Sequence, residues 1–511
     1  MASRLPQLLP KNLDIAPSPN LPAIPKRTVL LPKINLLTPL MANPSKSLFQ
    51  SEEEHRYFEN FSSKTAFEIF PSFDSGTLRQ ILLQACVSEP SIRHGVVALG
   101  ALDKTAESFE VFSVCASEGR GDPIQHPIQH HQNALKQYTT AIKYMRAAAS
   151  GSKQDIRTTL LTCLVIFCFE AWDGLKELAV QQIQTGLNLI QSWCEEHVDE
   201  HRLLDAPLKS PAVIEEDLVR AFSRLDVQAI SFAFEDRSSE RRAIVMRQEG
   251  TMLDQMPQVF HSVQDAEIYE NAIIRRTMRF LSFEVPLPKL PHPLIMFPVN
   301  GWWGVRSSRV VAIQQSIITD IPRWEAAFEP LWRRLKGKND PSLMIAAMLR
   351  MHLKSAYMAL LQVCIEDESK FDDYHHIFTE IVELAEYTLS VLDMATSNTP
   401  KFQFDSHLVI PLHMVGHKCR DPSLRRRAIS LMLCRPRREG VWDSLLAGRC
   451  AAWAMEVEEA HLEDGKVPGW ARIHGVTLDR DRQPRRVNFT CEQRLGPLSE
   501  HVITRQKPII W

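Results

Sequence analysis

Residues 158–172 read Thr-Thr-Leu-Leu-Thr-Cys-Leu-Val-Ile-Phe-Cys-Phe-Glu-Ala-Trp and stop at Asp173-Gly174. The apolar stretch within them, residues 160–169, is ten residues long and is broken only by Thr162. A bilayer crossing needs about twenty. A helix that is apolar all round has no face to give to water, so other elements must enclose it. The segment therefore predicts a layered helical protein with this helix near its middle and no membrane span.

The flanking sequence supplies the enclosing helices. Leu135, Tyr138, Ile142 and Met145 recur at three- and four-residue spacing within residues 130–149, and Leu175, Leu178, Ile183, Leu187, Ile190 and Cys194 form a second stripe. Each makes one apolar helix face, and the Asp173-Gly174 break joins the central helix to the second stripe as an antiparallel pair. Ser51 to Glu54 has capping-box spacing and places acids in a first turn, so regular structure is expected to begin there. Ser210-Pro211 offers an N-cap followed by proline, which predicts a helix running through Leu218, Phe222 and Leu225. Further helices are expected over 308–335, 341–366, 371–394, 408–417, 421–434 and 441–461. Residues 471–479 and 485–491 alternate around the polar 480–484 and predict a β-hairpin.

Proline marks the borders. Residues 1–44 hold nine prolines and no apolar period, and residues 284–300 hold Pro286, Pro288, Pro291, Pro293 and Pro298. Proline fixes φ and donates no hydrogen bond, so the first stretch reads as an extended or disordered leader and the second as a rigid crossing. The expected organisation is a leader over 1–45, a helical region over 46–285, the crossing over 286–305, a second helical half over 306–470, and a hairpin with tail over 471–511. The fold class is all-α, a multi-helix array of antiparallel helix pairs with a small C-terminal β-hairpin.

Several functions are disfavoured. The chain carries 59 Lys+Arg against 61 Asp+Glu, a net charge of −2, which does not suit a protein that coats nucleic acid. Only 19 glycines occur in 511 residues, and Gly95 and Gly100 are followed by no Lys-Ser/Thr, so no phosphate-cradling loop is present. GxSxG, HExxH and CxxC motifs are absent from the sequence. No catalytic, cofactor-binding or metal-binding residues are assigned, and the chain reads as a non-enzyme.

Five groups of side chains admit a functional reading beside a plainer one. His126, His130 and His131 hold an i, i+4 pair but lack a third ligand, which favours a solvated loop and helix start. His375-His376 point in different directions on a helix. Cys163 and Cys168 read as packing thiols in a reducing compartment. Trp302-Trp303, between Gly301 and Gly304, read as an anchor for the crossing, with base or ligand stacking as the alternative. Arg425, Arg426, Arg427, Arg435, Arg437 and Arg438 form the one basic concentration. It is a candidate nuclear import signal or phosphate contact. Leu424, Ala428 and Leu431 give the same stretch a helix face, which favours structural arginines instead.

Six segments, taken in order, resemble the regulatory region of fungal zinc-cluster transcription factors. They are residues 53–61 (EEHRYFENF), 91–101 (SIRHGVVALGA), 159–170 (TLLTCLVIFCFE), 220–228 (RAFSRLDVQ), 418–422 (KCRDP) and 437–443 (RREGVWD). The resemblance implies an all-helical nuclear module that regulates transcription, often of a metabolic gene cluster. Its implied partners are other transcription regulators or DNA-bound factors, with a small-molecule effector bound between helices. The DNA reader of that family holds two zinc ions with six closely spaced cysteines, whereas residues 1–50 contain no cysteine. Weak or no direct specific DNA binding is therefore expected, with action through a partner; a missing cysteine-rich first exon is the other explanation. A helical metabolic enzyme is the rival reading.

Overall fold

Ser51 caps the first described helix through its hydroxyl, which accepts from the Glu54 amide at 3.2 Å, while the Glu54 carboxylate accepts from the Gln50 amide at 2.8 Å. The expected capping box thus closes one residue further back than its usual form. The computed structural model describes residues 48–70, 75–117, 125–150, 155–197, 215–232, 239–285, 307–338, 340–363, 365, 367–395, 401–480, 485–499 and 501–511. The leader, the crossing, Ser210-Pro211 and Trp302-Trp303 lie outside them.

Helix α1 (Glu52–Asn60) passes through one π-helical turn into α2 (Ala66–Ile69), followed by α3 (Ser75–Ser88), α4 (Pro90–Ser117) and α5 (Gln125–Ser150). Next come α6 (Ile156–Asp173), α7 (Lys176–His197), α8 (Glu216–Phe232), α9 (Ser239–Asp254) and α10 (Val263–Arg279). The remaining helices are α11 (Ser308–Lys338), α12 (Leu343–Gln362), α13 (His375–Ala395), α14 (Val409–Lys418), α15 (Pro422–Cys434) and α16 (Ser444–Glu459). The helix expected to open at Ser210-Pro211 begins only at Glu216, after the non-helical Glu215.

The apolar helix α6 is enclosed as its sequence demands. Leu160, Leu161, Cys163, Leu164, Val165, Ile166, Phe167, Cys168 and Phe169 are all buried, packed against α4 and α7. Gly174, at φ +93°, ends the helix, and the Leu175 amide reaches back to the Glu170 carbonyl at 2.7 Å. Glu170 is a buried carboxylate of α6. Burial pushes its pKa up to about 7, and the Tyr138 hydroxyl donates to it at 2.6 Å. Helix α1 seats on α4 at Gly100, where a Cβ would lie 2.0 Å from the Tyr57 carbonyl oxygen. Asn60 bridges the same pair by donating to the Gly100 carbonyl and to Asp103.

Buried ion pairs tie the middle helices together. Arg279 on α10 meets Asp226 on α8 at 2.6 Å, Arg275 meets Glu249 on α9 at 2.9 Å, and Arg276 meets Asp320 on α11 at 2.6 Å. One large hydrophobic core runs from Tyr57 to Ala451.

Among the described residues there are two small sheets. In the first, β1 (Lys401–Gln403) runs parallel to β2 (Arg437–Glu439), which pairs antiparallel with β3 (Trp442–Asp443). The expected hairpin is present as β4 (His474–Arg480) and β5 (Arg486–Arg494), and β6 (Val502–Ile510) adds a third antiparallel strand beside β5. Val487, Phe489 and Cys491, at period two along β5, bury against Leu446, Cys450 and Trp453 of α16 and form a second core. Among the described residues, no helix is long and apolar enough to cross a membrane.

Candidate functional site

Helices α8, α10, α12 and the start of α14 do not close fully on one another. They leave a cavity of about 120 Å³ whose wall is completed by Asp405, Ser406, His407 and Trp442. The helical period sets the lining: Ile345, Met348, Leu349, His352, Ser355, Ala356 and Ala359 follow one face of α12, and Val263, Glu267, Glu270, Ile274 and Thr277 follow one face of α10. The surface the wall presents is mostly apolar, although half of its residues are polar or charged, Gln264, Asn271 and Ser406 among them.

Each charge in the lining is engaged. Arg224 on α8 meets Glu267 at 3.0 Å and Asp405 at 2.9 Å, and its guanidinium lies over the Phe404 ring. His352 on α12 meets Glu270 through Nδ1 at 3.1 Å and the His407 carbonyl through Nε2 at 3.0 Å. A carbonyl only accepts, so Nε2 carries a proton, and a second proton lies between Nδ1 and the carboxylate. Burial acts to lower the His352 pKa, yet its hydrogen bond to Glu270 and that charge raise it above the ordinary histidine value. Burial likewise raises the Glu270 carboxyl, against the lowering effect of His352.

His407 behaves oppositely. Its ring stacks parallel to His352 at 6.2 Å and is buried, and burial pushes its pKa down to about 3, so it is neutral near physiological pH. Among the described residues, neither of its ring nitrogens has a hydrogen-bond partner, and neither does the buried Ser355 hydroxyl.

A serine, two histidines and carboxylates in one cavity invite comparison with a hydrolytic triad, but the geometry does not assemble one. The Ser355 Oγ makes no hydrogen bond to either imidazole, and both nitrogens of His352 are committed elsewhere. A nucleophile with no base at hydrogen-bond distance stays a hydroxyl. The arrangement can hold a small molecule.

The wall around His407 is pinned from behind. The fully buried Glu439 carboxylate on β2 accepts from the amides of His407, Leu408 and Val409 at 2.8, 2.8 and 2.9 Å, which caps α14. Gln228 donates to the Phe404 carbonyl at 2.9 Å and accepts from the Val441 amide at 3.2 Å. Gly440, at φ +55°, lies so close to Gln228 that a Cβ there would meet its Oε1 at 1.9 Å.

The residues singled out by sequence are distributed elsewhere. Arg425 is fully buried, bonded to the Gly416 carbonyl at 2.8 Å and to Glu458 at 2.6 Å. Arg426 pairs with Glu459 at 3.0 Å and Arg427 pairs with Glu386 at 2.7 Å, both at the surface, and Arg435 is exposed past the end of α15. Arg437 lies 4.0 Å from Glu439, and Arg438 bonds Asp443 at 3.1 Å and the Trp172 carbonyl. His130 bonds the Tyr57 hydroxyl at 2.7 Å while His131 meets Asp173 at 2.8 Å, so the two diverge; the His126 side chain lies outside the described residues. His375 approaches Asp421 at 3.8 Å. Cys163 and Cys168 are buried free thiols whose pKa values burial raises, that of Cys163 to about 12.

The cavity residues escaped sequence reading because Arg224, His352 and His407 come from distant parts of the chain. One signal was available: His352 and Ser355 interrupt an otherwise aliphatic face of α12.

Comparison with known proteins supplies the context. Residues 54–225 match the family model described as the fungal specific transcription factor domain. The chain is 21% identical over 520 aligned positions to the aspercryptin biosynthesis cluster-specific transcription regulator of Emericella nidulans, an alignment covering 86% of this chain and 79% of that protein. No solved structure matches the chain significantly.

Proposed function

We propose that this chain, which matches the fungal specific transcription factor domain over residues 54–225, is a transcription regulator of a biosynthetic gene cluster. The observation that carries the reading is the alignment with a cluster-specific regulator along 86% of the chain. Similarity of that extent follows the helical array as a whole, not a single helix pair within it.

On this reading the array acts by contact with other regulators or DNA-bound factors and by sensing a small molecule, and it performs no catalysis. The paired charges and the unassembled Ser355, His352 and Glu270 of the cavity support binding over turnover. Its place of action is the nucleus. At 58.4 kDa the chain needs a carrier or a signal to enter. Of the six candidate arginines, Arg426, Arg427 and Arg435 are exposed, and solvent-exposed ion pairs are weak enough to be exchanged for a receptor's acids.

Deleting the gene tests the reading: transcripts of a set of neighbouring biosynthetic genes should change, and a tagged copy should accumulate in the nucleus. Replacing Arg426, Arg427 and Arg435 by Gln should reduce import with melting unchanged, whereas Arg437→Gln with Arg438→Gln should lower solubility or melting. A chain that stays in the cytosol, and whose loss alters a metabolite but no transcript, would overturn the regulator reading in favour of an enzyme.

A further inference from the structure

We infer that the cavity between α8, α10, α12 and α14 takes an uncharged molecule about the size of a single ring, carrying one group that both donates and accepts a hydrogen bond, such as an alcohol, phenol or primary amide. The inference rests on the regulator reading and names the chemical class of its effector.

Size comes first. An apolar cavity of roughly 150 Å³ holds benzene, and this one measures about 120 Å³. The part of an occupant that enters is therefore about one ring or a short branched chain, and Val263, Ile274, Met348, Leu349, Ala356 and Ile410 provide its apolar contacts.

Charge comes next. The lining carries Glu267, Glu270 and Asp405 against Arg224 and His352. An anionic ligand would enter an excess of carboxylate, with both cations already bound to acids. A cationic ligand would share carboxylates already paired with Arg224 and His352 and would lose its own hydration against a largely apolar surface. A neutral molecule meets neither obstacle.

The polar group follows from what lacks a partner. The Ser355 hydroxyl and the His407 ring both line the cavity, are more than nine-tenths buried, and have no hydrogen-bond partner among the described residues; the less buried Ser406 hydroxyl beside His407 is a third such group. A neutral imidazole offers one donor and one acceptor, and a hydroxyl offers both. A ligand group of the same dual character satisfies either one, and a purely apolar ligand would leave both unmet.

The test is calorimetric titration of the full chain with phenol, benzoate and benzylamine, three probes of similar bulk and different charge. Phenol should bind at one site with a Kd of about 1 mM or tighter, and the two ions roughly tenfold or more weakly. Ala356→Leu, and independently Ala359→Leu, fill the cavity from the α12 wall and should abolish phenol binding while the circular dichroism spectrum and cooperative melting persist. No phenol binding to the wild-type chain, benzoate or benzylamine binding as tightly as phenol, or filled and folded variants that bind phenol as the wild type does would each overturn the inference. The gene deletion separates the two ideas. A transcript change without phenol binding removes the ligand class alone. Phenol binding without a transcript change removes the regulator reading and leaves the cavity's chemistry standing.

Discussion

Replacing Glu458 by Gln tests whether a buried charge network holds the C-terminal part of the molecule together. Glu458 lies on α16 with no exposed surface. Its Oε1 accepts from Arg420 at 2.7 Å and from the Ile473 amide at 2.9 Å, and its Oε2 accepts from Arg425 at 2.6 Å. One carboxylate thus joins α15, α16, the α14–α15 connection and the approach to β4. Burial by itself would raise its pKa, but Arg420 and Arg425 outweigh burial and bring it from 4.5 down to about 2. At 1.36 kcal/mol for each tenfold change in acidity, that depression corresponds to roughly 3 kcal/mol of native-state stabilisation. Breaking a buried pair by removing one partner costs about 3–5 kcal/mol by independent experience, so the two magnitudes agree. Arg420 keeps Glu368 at 3.1 Å, whereas Arg425 is left with the Gly416 carbonyl.

The sign of the pH dependence follows. A carboxyl depressed in the folded state contributes its stability above the unfolded value near 4.5, and loses it as pH falls toward the folded value near 2. Urea unfolding followed by circular dichroism should show Glu458→Gln less stable than wild type by about 3 kcal/mol near neutral pH. The variant should also lose less stability than wild type on acidification between about pH 4.5 and 2. A loss under about 1 kcal/mol, or acid limbs that run parallel, would refute the network argument.

Leu164→Ala, in the middle of the enclosed helix α6 where the side chain has no exposure, should cost about 2–5 kcal/mol in the same assay; a loss below about 1 kcal/mol would mean that α6 is not central. Gly100→Ala places a methyl 2.0 Å from the Tyr57 carbonyl, forces α1 off α4, and should cost about 1–3 kcal/mol, with faster amide exchange in α1 as its local signature.

The helices were largely legible because their signals are local. The all-round apolarity of α6, the Asp173-Gly174 stop and the Ser51 cap each act within a few residues of where they are written. The β4–β5 pair was legible through its alternation. Strand β6 was not, because Arg505, Lys507 and Pro508 mask the period on an edge strand that is largely exposed. The first sheet was not legible either. Strands of three and two residues are too short to show a period, and the pairing of Lys401–Gln403 with Arg437–Glu439 spans more than thirty residues. The helix through Leu218, Phe222 and Leu225 is present from Glu216, and the Ser210-Pro211 expected to open it lies outside the described residues.

By itself the sequence determined that the chain is a helical array with a strand pair near its end, since apolar period, caps and breakers operate over one or two turns and need no partner. The resemblance to fungal regulators was carried the same way, by six short segments in order, of which 159–170 is the buried centre and 220–228 and 437–443 meet where Gln228 accepts from the Val441 amide. Which arginines face inward, and the existence of a cavity, were decided only by tertiary structure. Arg425 and Arg426 are adjacent in sequence, yet one is sealed against Glu458 and the other lies on the surface, because a helix turns its consecutive side chains by about 100° and a core covers only one of the two directions. The cavity exists because four helix faces fail to interdigitate completely, a property of their mutual placement that no single segment encodes.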